Sequence, residues 1–144
     1  MKTILTALLC IILISQIAEA GTRRNVSNTN DEDAEGTLKT LLNESCNQSG
    51  DDDIVFEEDF DEYRIKLNAA LVIPRDCKGK VKLTGRRDID IKINGNSLNF
   101  GGDYAGDNCI LNVYSNNHTI EDISFVKNSK GAGICVFGRE NKIK

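Results

Sequence analysis

Residues 111–120 read LNVYSNNHTI, residues 134–143 read ICVFGRENKI, and the two stretches superpose without a gap. Leu111 and Ile134, Val113 and Val136, Tyr114 and Phe137, and Ile120 and Ile143 all stand 23 residues apart. Each block runs from a short apolar strand through a polar turn into a second strand. A repeat of roughly 20 to 50 residues marks stacked architectures, in which each unit buries its apolar face against its neighbour.

Upstream, DIVF (53–56), YRIKL (63–67), ALVI (70–73), KVKLTG (80–85) and IDIKING (89–95) are short β-type runs punctuated by Gly, Pro, Asn and Asp. Within them Ile65, Leu67, Val81, Leu83 and Ile91 alternate with Arg64, Lys66, Lys80, Lys82 and Lys92. One face is therefore apolar and the other charged, as a half-buried strand requires. Val81 and Leu83 align with Leu111 and Val113 only at an offset of 30, the surplus falling in the Gly-rich loop NGNSLNFGGDYAGDN (94–108). Short strands with no helix between them exclude a doubly wound α/β fold. They predict an all-β chain, a parallel β-helix of few coils, with an antiparallel β-sandwich as its rival.

Before the strands, GTLKTLLNESCNQSG (36–50) places Leu38, Leu41, Leu42 and Cys46 on one helical face. Thr37 is the expected N-cap and Gly50 the expected stop. This helix is too short to stand alone and is expected to cap the stack. Residues 1–20, MKTILTALLCIILISQIAEA, combine Lys2, an apolar run from Ile4 to Ile14 and the small-x-small ending Ala18-Glu19-Ala20. They read as a secretory signal peptide, too short in their apolar core to span a bilayer. Residues 21–35 are polar and aperiodic and read as a disordered leader. Residues 36–144 form the folded part, and the chain is expected to break off in mid-unit, leaving an open last coil through which copies could self-associate.

Removal of residues 1–20 leaves Cys46, Cys77, Cys109 and Cys135, an even count that suits an exported, disulfide-bonded protein. Cys46–Cys77 is the preferred pair. The spacing of Cys109 and Cys135 overshoots the period by three, and the two are expected not to bridge. With no C-x-x-C spacing and one histidine, His118, a zinc site is not expected. His118 lies in the turn NNHT and is expected to be exposed.

Charge is unevenly placed. Residues 21–62 hold three Lys/Arg against thirteen Asp/Glu, and residues 63–144 hold fourteen against eight. The acidic run DDDIVFEEDFDE (51–62) reads as a solvated face, and Asp103, Asp107 and Asp122 are too scattered to make a calcium site. The basic part suits an acidic polysaccharide or cell-surface glycan, with Arg64, Lys66, Lys80, Lys82 and Lys92 as the binding residues. No nucleic-acid signature and no Trp accompany those cations, so nucleic acid is not an expected partner. Asn25, Asn43, Asn47 and Asn117 begin N-x-S/T sequons, candidate N-glycosylation sites.

Gly36, Thr37 and Leu38, then Ile54 and Phe56, then Ile93 and Gly95, then Asn117, Ile120, Ile123 and Phe125 follow one another in an order that resembles the pectate-lyase-like superfamily. Lys39 stands where that family's opening motif carries arginine. The resemblance spans residues 36–144 and implies a right-handed parallel β-helix. It implies a secreted or surface protein of one of two kinds: a non-catalytic glycan-binding module or adhesin, or the N-terminal part of a polysaccharide lyase or hydrolase. The family's calcium-binding aspartates and catalytic base lie on later coils than this chain reaches. No catalytic residue is therefore assigned and no cofactor expected, calcium entering only with the lyase alternative.

Overall fold

The computed structural model describes residues 21–30, 33–57, 62–88, 90–95, 98, 109–126 and 132–144. The expected signal peptide, part of the acidic run (58–61) and most of the 94–108 loop, with Asp103 and Asp107, lie outside the described residues. The elements are β1 (Arg23–Val26), α1 (Leu38–Asn47), β2 (Asp51–Phe56), β3 (Glu62–Lys66), β4 (Leu71–Ile73), β5 (Lys80–Thr84), β6 (Asp90–Asn94), β7 (Cys109–Val113), β8 (Thr119–Glu121), β9 (Ser124–Val126), β10 (Ala132–Val136) and β11 (Lys142–Ile143).

Every pairing between these strands is parallel. The first sheet runs β1-β2-β5-β8-β11, the second β4-β7-β10 and the third β3-β6-β9. Successive strands thus go to different sheets, and from β2 onward every third strand returns to the same one. This excludes the antiparallel sandwich. Like residues stack on like: Ile54, Leu83, Ile120 and Ile143 form one column, Leu71, Leu111 and Ile134 a second, and Ile65, Ile93 and Phe125 a third. The inward residues of all three sheets join one apolar cluster with the buried face of α1. Burying each such aliphatic side chain contributes about 1.5–3 kcal/mol. The columns close in their lower rows and open in the last, where Val136 is 42% and Ile143 46% exposed against 0% for Val113 and 2% for Ile120.

The 23-residue repeat holds where it was read. Leu111 pairs with Ile134, Val113 with Val136 and Ile120 with Ile143. The turns between them match as well, with Asn117 (φ 66°) and Glu140 (φ 59°) both left-handed. A Cβ at Gly138 would come within 1.7 Å of Ser115 O, so only glycine fits there. The 30-residue alignment does not hold. Leu83 stacks on Ile120 in the first sheet and Leu111 on Leu71 in the second, because β5 and β7 occupy different sheets. Chain inserted between β6 and β7 lengthens the step from Leu71 to Leu111 well beyond that of the later rows.

At the start of the stack, Thr37 caps α1 by accepting from Thr40 N–H (3.3 Å). The helix ends at Asn47, ahead of Gly50. Leu38, Leu41, Leu42 and Cys46 are buried, and Cys46 is bonded to Cys77 as preferred. Residues 21–35 are not simply a leader. Arg23–Val26 pairs in register with Asp53–Phe56, Val26 is fully buried, and Tyr63 Oη donates to Val26 O (3.1 Å). The anchor there is polar: Arg24 Nε donates to the buried Asp52 (2.6 Å), and its other nitrogens reach Glu44 (2.9 Å) and Gln48 (2.8 Å) on α1. Burial alone would raise the Asp52 pKa, but hydrogen bonds from Arg24 and from Thr22 N–H outweigh it and hold the carboxyl below its ordinary value.

The expected absence of a Cys109–Cys135 bridge is overturned, for the two are bonded with Cα atoms 5.7 Å apart. The register survives, with Ala132 on Cys109 and Cys135 on Asn112. What fails is the reading by spacing and parity: all five residues of β7 are buried instead of alternating, and Asn112 Nδ2 donates to Cys109 O three residues back (3.1 Å).

Replacing Arg24 with alanine strands the Asp52 carboxylate in the core, which should cost about 3–5 kcal/mol. Arg87→Ala, which removes an exposed pair with Asp122, should cost less than about 1 kcal/mol. Urea midpoints check this; equally small losses would mean that Arg24 does not anchor β1.

Candidate functional site

On the outer face of the first sheet, Asp51, Asp53, Lys80, Lys82, Asn117 and Thr119 line a shallow cavity of about 250 Å³. A second cavity, of about 390 Å³, shares Lys80, Asn117 and Thr119 and adds Glu140 and Lys142. Together they make one open polar groove across β2, β5, β8 and β11. Parallel pairing builds it, since Lys82 sits beside Asp53 on one side and Thr119 on the other, and the next row brings Lys142 beside Thr119.

The cations do not stand unopposed. Lys80 pairs with Asp51 (3.3 Å), and Lys82 (3.2 Å) and Lys144 (3.3 Å) share Glu121. Hydrogen bonds from Lys82 and then Lys144 hold the Glu121 carboxyl below its ordinary pKa. All three described carboxylates with a resolved shift (Asp52, Asp88 and Glu121) are lowered. A general acid working near neutrality needs the opposite shift. Among the described residues no group of His, Cys, Asp and Glu is placed to hold a metal ion.

The five cations chosen from the sequence all point outward, Lys92 less fully than the others, but they do not share one face. Lys80 and Lys82 lie on the first sheet; Arg64, Lys66 and Lys92 lie on the third, where Arg64 stacks on Lys92 and Lys92 contacts Asp90. Lys142 was missed. It pairs with Thr119 in the next row, so carrying the repeat onto the outward positions would have found it. All four sequon asparagines (Asn25, Asn43, Asn47 and Asn117) are exposed, and Asn117 sits in the groove itself.

His118 is not the exposed turn residue expected, being only 1% exposed. Its Nδ1 accepts from Val81 N–H (3.0 Å), and its Nε2 lies 2.7 Å from Ser115 Oγ. An acceptor at Nδ1 puts the ring proton on Nε2, which donates to the serine. The pair has the spacing of a nucleophile and its base but the opposite polarity, because a base must receive the serine proton. It joins the corner of the stack together and does not activate Ser115.

Comparison of the chain with protein-family models, with curated proteins and with solved structures finds no match.

A fluorophosphonate probe of serine nucleophiles should therefore leave Ser115 unlabelled in the folded protein, as read by peptide mass mapping. Stoichiometric labelling of Ser115 would overturn the proton assignment.

Proposed function

We propose that the three sheets are the faces of a right-handed parallel β-helix, as the pectate-lyase-like resemblance implies. In this reading the chain is a secreted or cell-surface module that binds an acidic glycan without cleaving it. The observation that carries it is the groove on the first sheet, where Lys80, Lys82 and Lys142 converge beside Asn117 and Thr119. Such a groove offers cations at β-strand spacing, about 4.8 Å between rows, and amide and hydroxyl donors between them. A polyanionic sugar chain would exchange the present carboxylate partners of Lys80 and Lys82 for its own. Each exchange would gain only a little, because exposed ion pairs contribute little, so measurable affinity would require several sugar units bound at once and would grow with their number. The lowered carboxylate pKa values favour binding over acid–base chemistry. Among the described residues no helix is long and apolar enough to cross a membrane.

A series of oligogalacturonates of increasing length, titrated by calorimetry, tests this reading. Affinity should rise with length and fall with salt, with no cleaved product. Lys80→Ala combined with Lys142→Ala should weaken it about tenfold or more, a loss of about 1.4 kcal/mol, while Arg64→Ala with Lys66→Ala on the third sheet leaves it unchanged. No binding at any length, or equal losses from both pairs, would sink the assignment of the groove; cleavage would favour the lyase alternative.

A further inference from the structure

His118 does for the first sheet what a backbone carbonyl does elsewhere in it. The β5–β8 pairing begins at Lys82 and Thr119, which leaves Val81 N–H one position short of the ladder. The His118 ring fills that place, its Nδ1 accepting from Val81 N–H at 3.0 Å. In the next row the same substitution recurs 23 residues on. Asn141 Oδ1 accepts from His118 N–H (2.8 Å), and Asn141 Nδ2 donates to Ser115 O (2.9 Å). Val81, His118 and Asn141 thus form one column of side chain on backbone at the corner where each row enters the first sheet. Of the two side chains that do this work, the amide cannot titrate and the imidazole can.

We propose that His118 is a proton-operated latch at this corner: neutral, it holds Val81 of the row below, and protonated, it releases it. Protonation places a proton on Nδ1, so that a donor faces the Val81 N–H donor and the hydrogen bond is lost. Nε2 is already protonated and cannot take over as acceptor. The groups around the ring do not compensate. On β5, Lys80 and Lys82 flank Val81 and disfavour a second positive charge, although each is engaged, with Asp51 and Glu121 respectively. On β2, Asp52 pairs with Val81 in register but is committed to Arg24, while Asp51 and Asp53 point outward. Glu121 on β8 is committed to Lys82 and Lys144, and Arg139, Glu140 and Lys142 on the turn into β11 lie toward solvent. Ser115 offers the ring only a hydroxyl.

Burial also lowers the His118 pKa from its ordinary 6.5. The sign follows: the unfolded chain takes up the proton as the pH falls through 6.5 and the folded chain resists it, so stability is complete above that value and is lost below it, down to the folded pKa. His118 is the only histidine of the chain, so a single imidazole titrates in this window. Asn117 and Thr119, its neighbours, line the groove, so release of the latch would loosen the groove floor from within.

The test needs no ligand and so stands apart from the glycan reading. In the wild-type protein the NMR titration of the single imidazole should have its midpoint below 6.5. Over the same range the Val81 amide should lose its protection against hydrogen exchange, in step with the imidazole titration. His118→Asn supplies the acceptor that Asn141 uses one row on; its thermal midpoint should stay level from about pH 7.5 to about pH 5, where the wild type falls. A wild-type midpoint at or above 6.5, or Val81 protection indifferent to the titration, overturns the latch whether or not the variant folds.

Discussion

From β2 onward, no described strand of this chain pairs with the strand that follows it in sequence. Each pairs in parallel with a strand one full row away, as Ile120 does with Ile143 and Leu71 with Leu111, and the rest of the structure depends on keeping that long register. A slip of one residue would turn every apolar side chain of a strand outward. The columns prevent it. Ile54, Leu83 and Ile120 can stack without a void only if β2, β5 and β8 stay in step, and the same holds for Ile65 on Ile93 and Leu71 on Leu111. Chain length between rows is free to vary because the loops absorb it and loop closure costs little for each added residue. Register and loop length are thus separate constraints, and only the first is strict.

That separation explains what could be read in advance. The last rows, β7 with β10 and β8 with β11, share one constant step. They were legible because their corner turns have equal length, down to the left-handed residues Asn117 and Glu140. The earlier rows were not, because the steps from β2 to β5 and from β3 to β6 are longer, and the step from β5 to β8 is longer again. An alignment by parity alone then matched Val81 with Leu111 across two different sheets. Alternation gave the direction of the five chosen cations but not their faces, since period two tells inside from outside and says nothing of which sheet a strand joins.

The remaining surprises share a physical origin: polar groups that complete the core's edges. Arg24 and Asp52 anchor a strand that has almost no apolar content, and His118 and Asn141 complete a ladder that the backbone leaves short. Neither leaves a hydrophobic period, and composition counts both as surface. Asp52 was legible only as one of three consecutive aspartates, yet its parity with Ile54 and Phe56 already marked it as inward. A charged residue at inward parity beside a strand end asks for a partner, and a polar, arginine-bearing segment before it is the place to look.

The outer face of the first sheet obeys the same stacking rule with charge in place of volume. Neighbouring rows set Arg23 beside Asp53, Asp53 beside Lys82 and Asp51 beside Lys80, so that opposite charges meet across the parallel ladder. Like charges at that spacing would be destabilising, and each favourable exposed pair is worth only a few tenths of a kcal/mol. The pattern therefore does more for register than for stability, because a one-residue slip would remove the pairs on the outer face as well as the columns inside. It breaks at Thr119, a neutral residue between Lys82 and Lys142. There the ladder of alternating sign gives way to two cations with only a hydroxyl between them, and the groove lies at that place. The groove's own lining is balanced, Lys80, Lys82 and Lys142 against Asp51, Asp53 and Glu140, so an anion entering there would have to displace those carboxylates from the lysines rather than meet free positive charge.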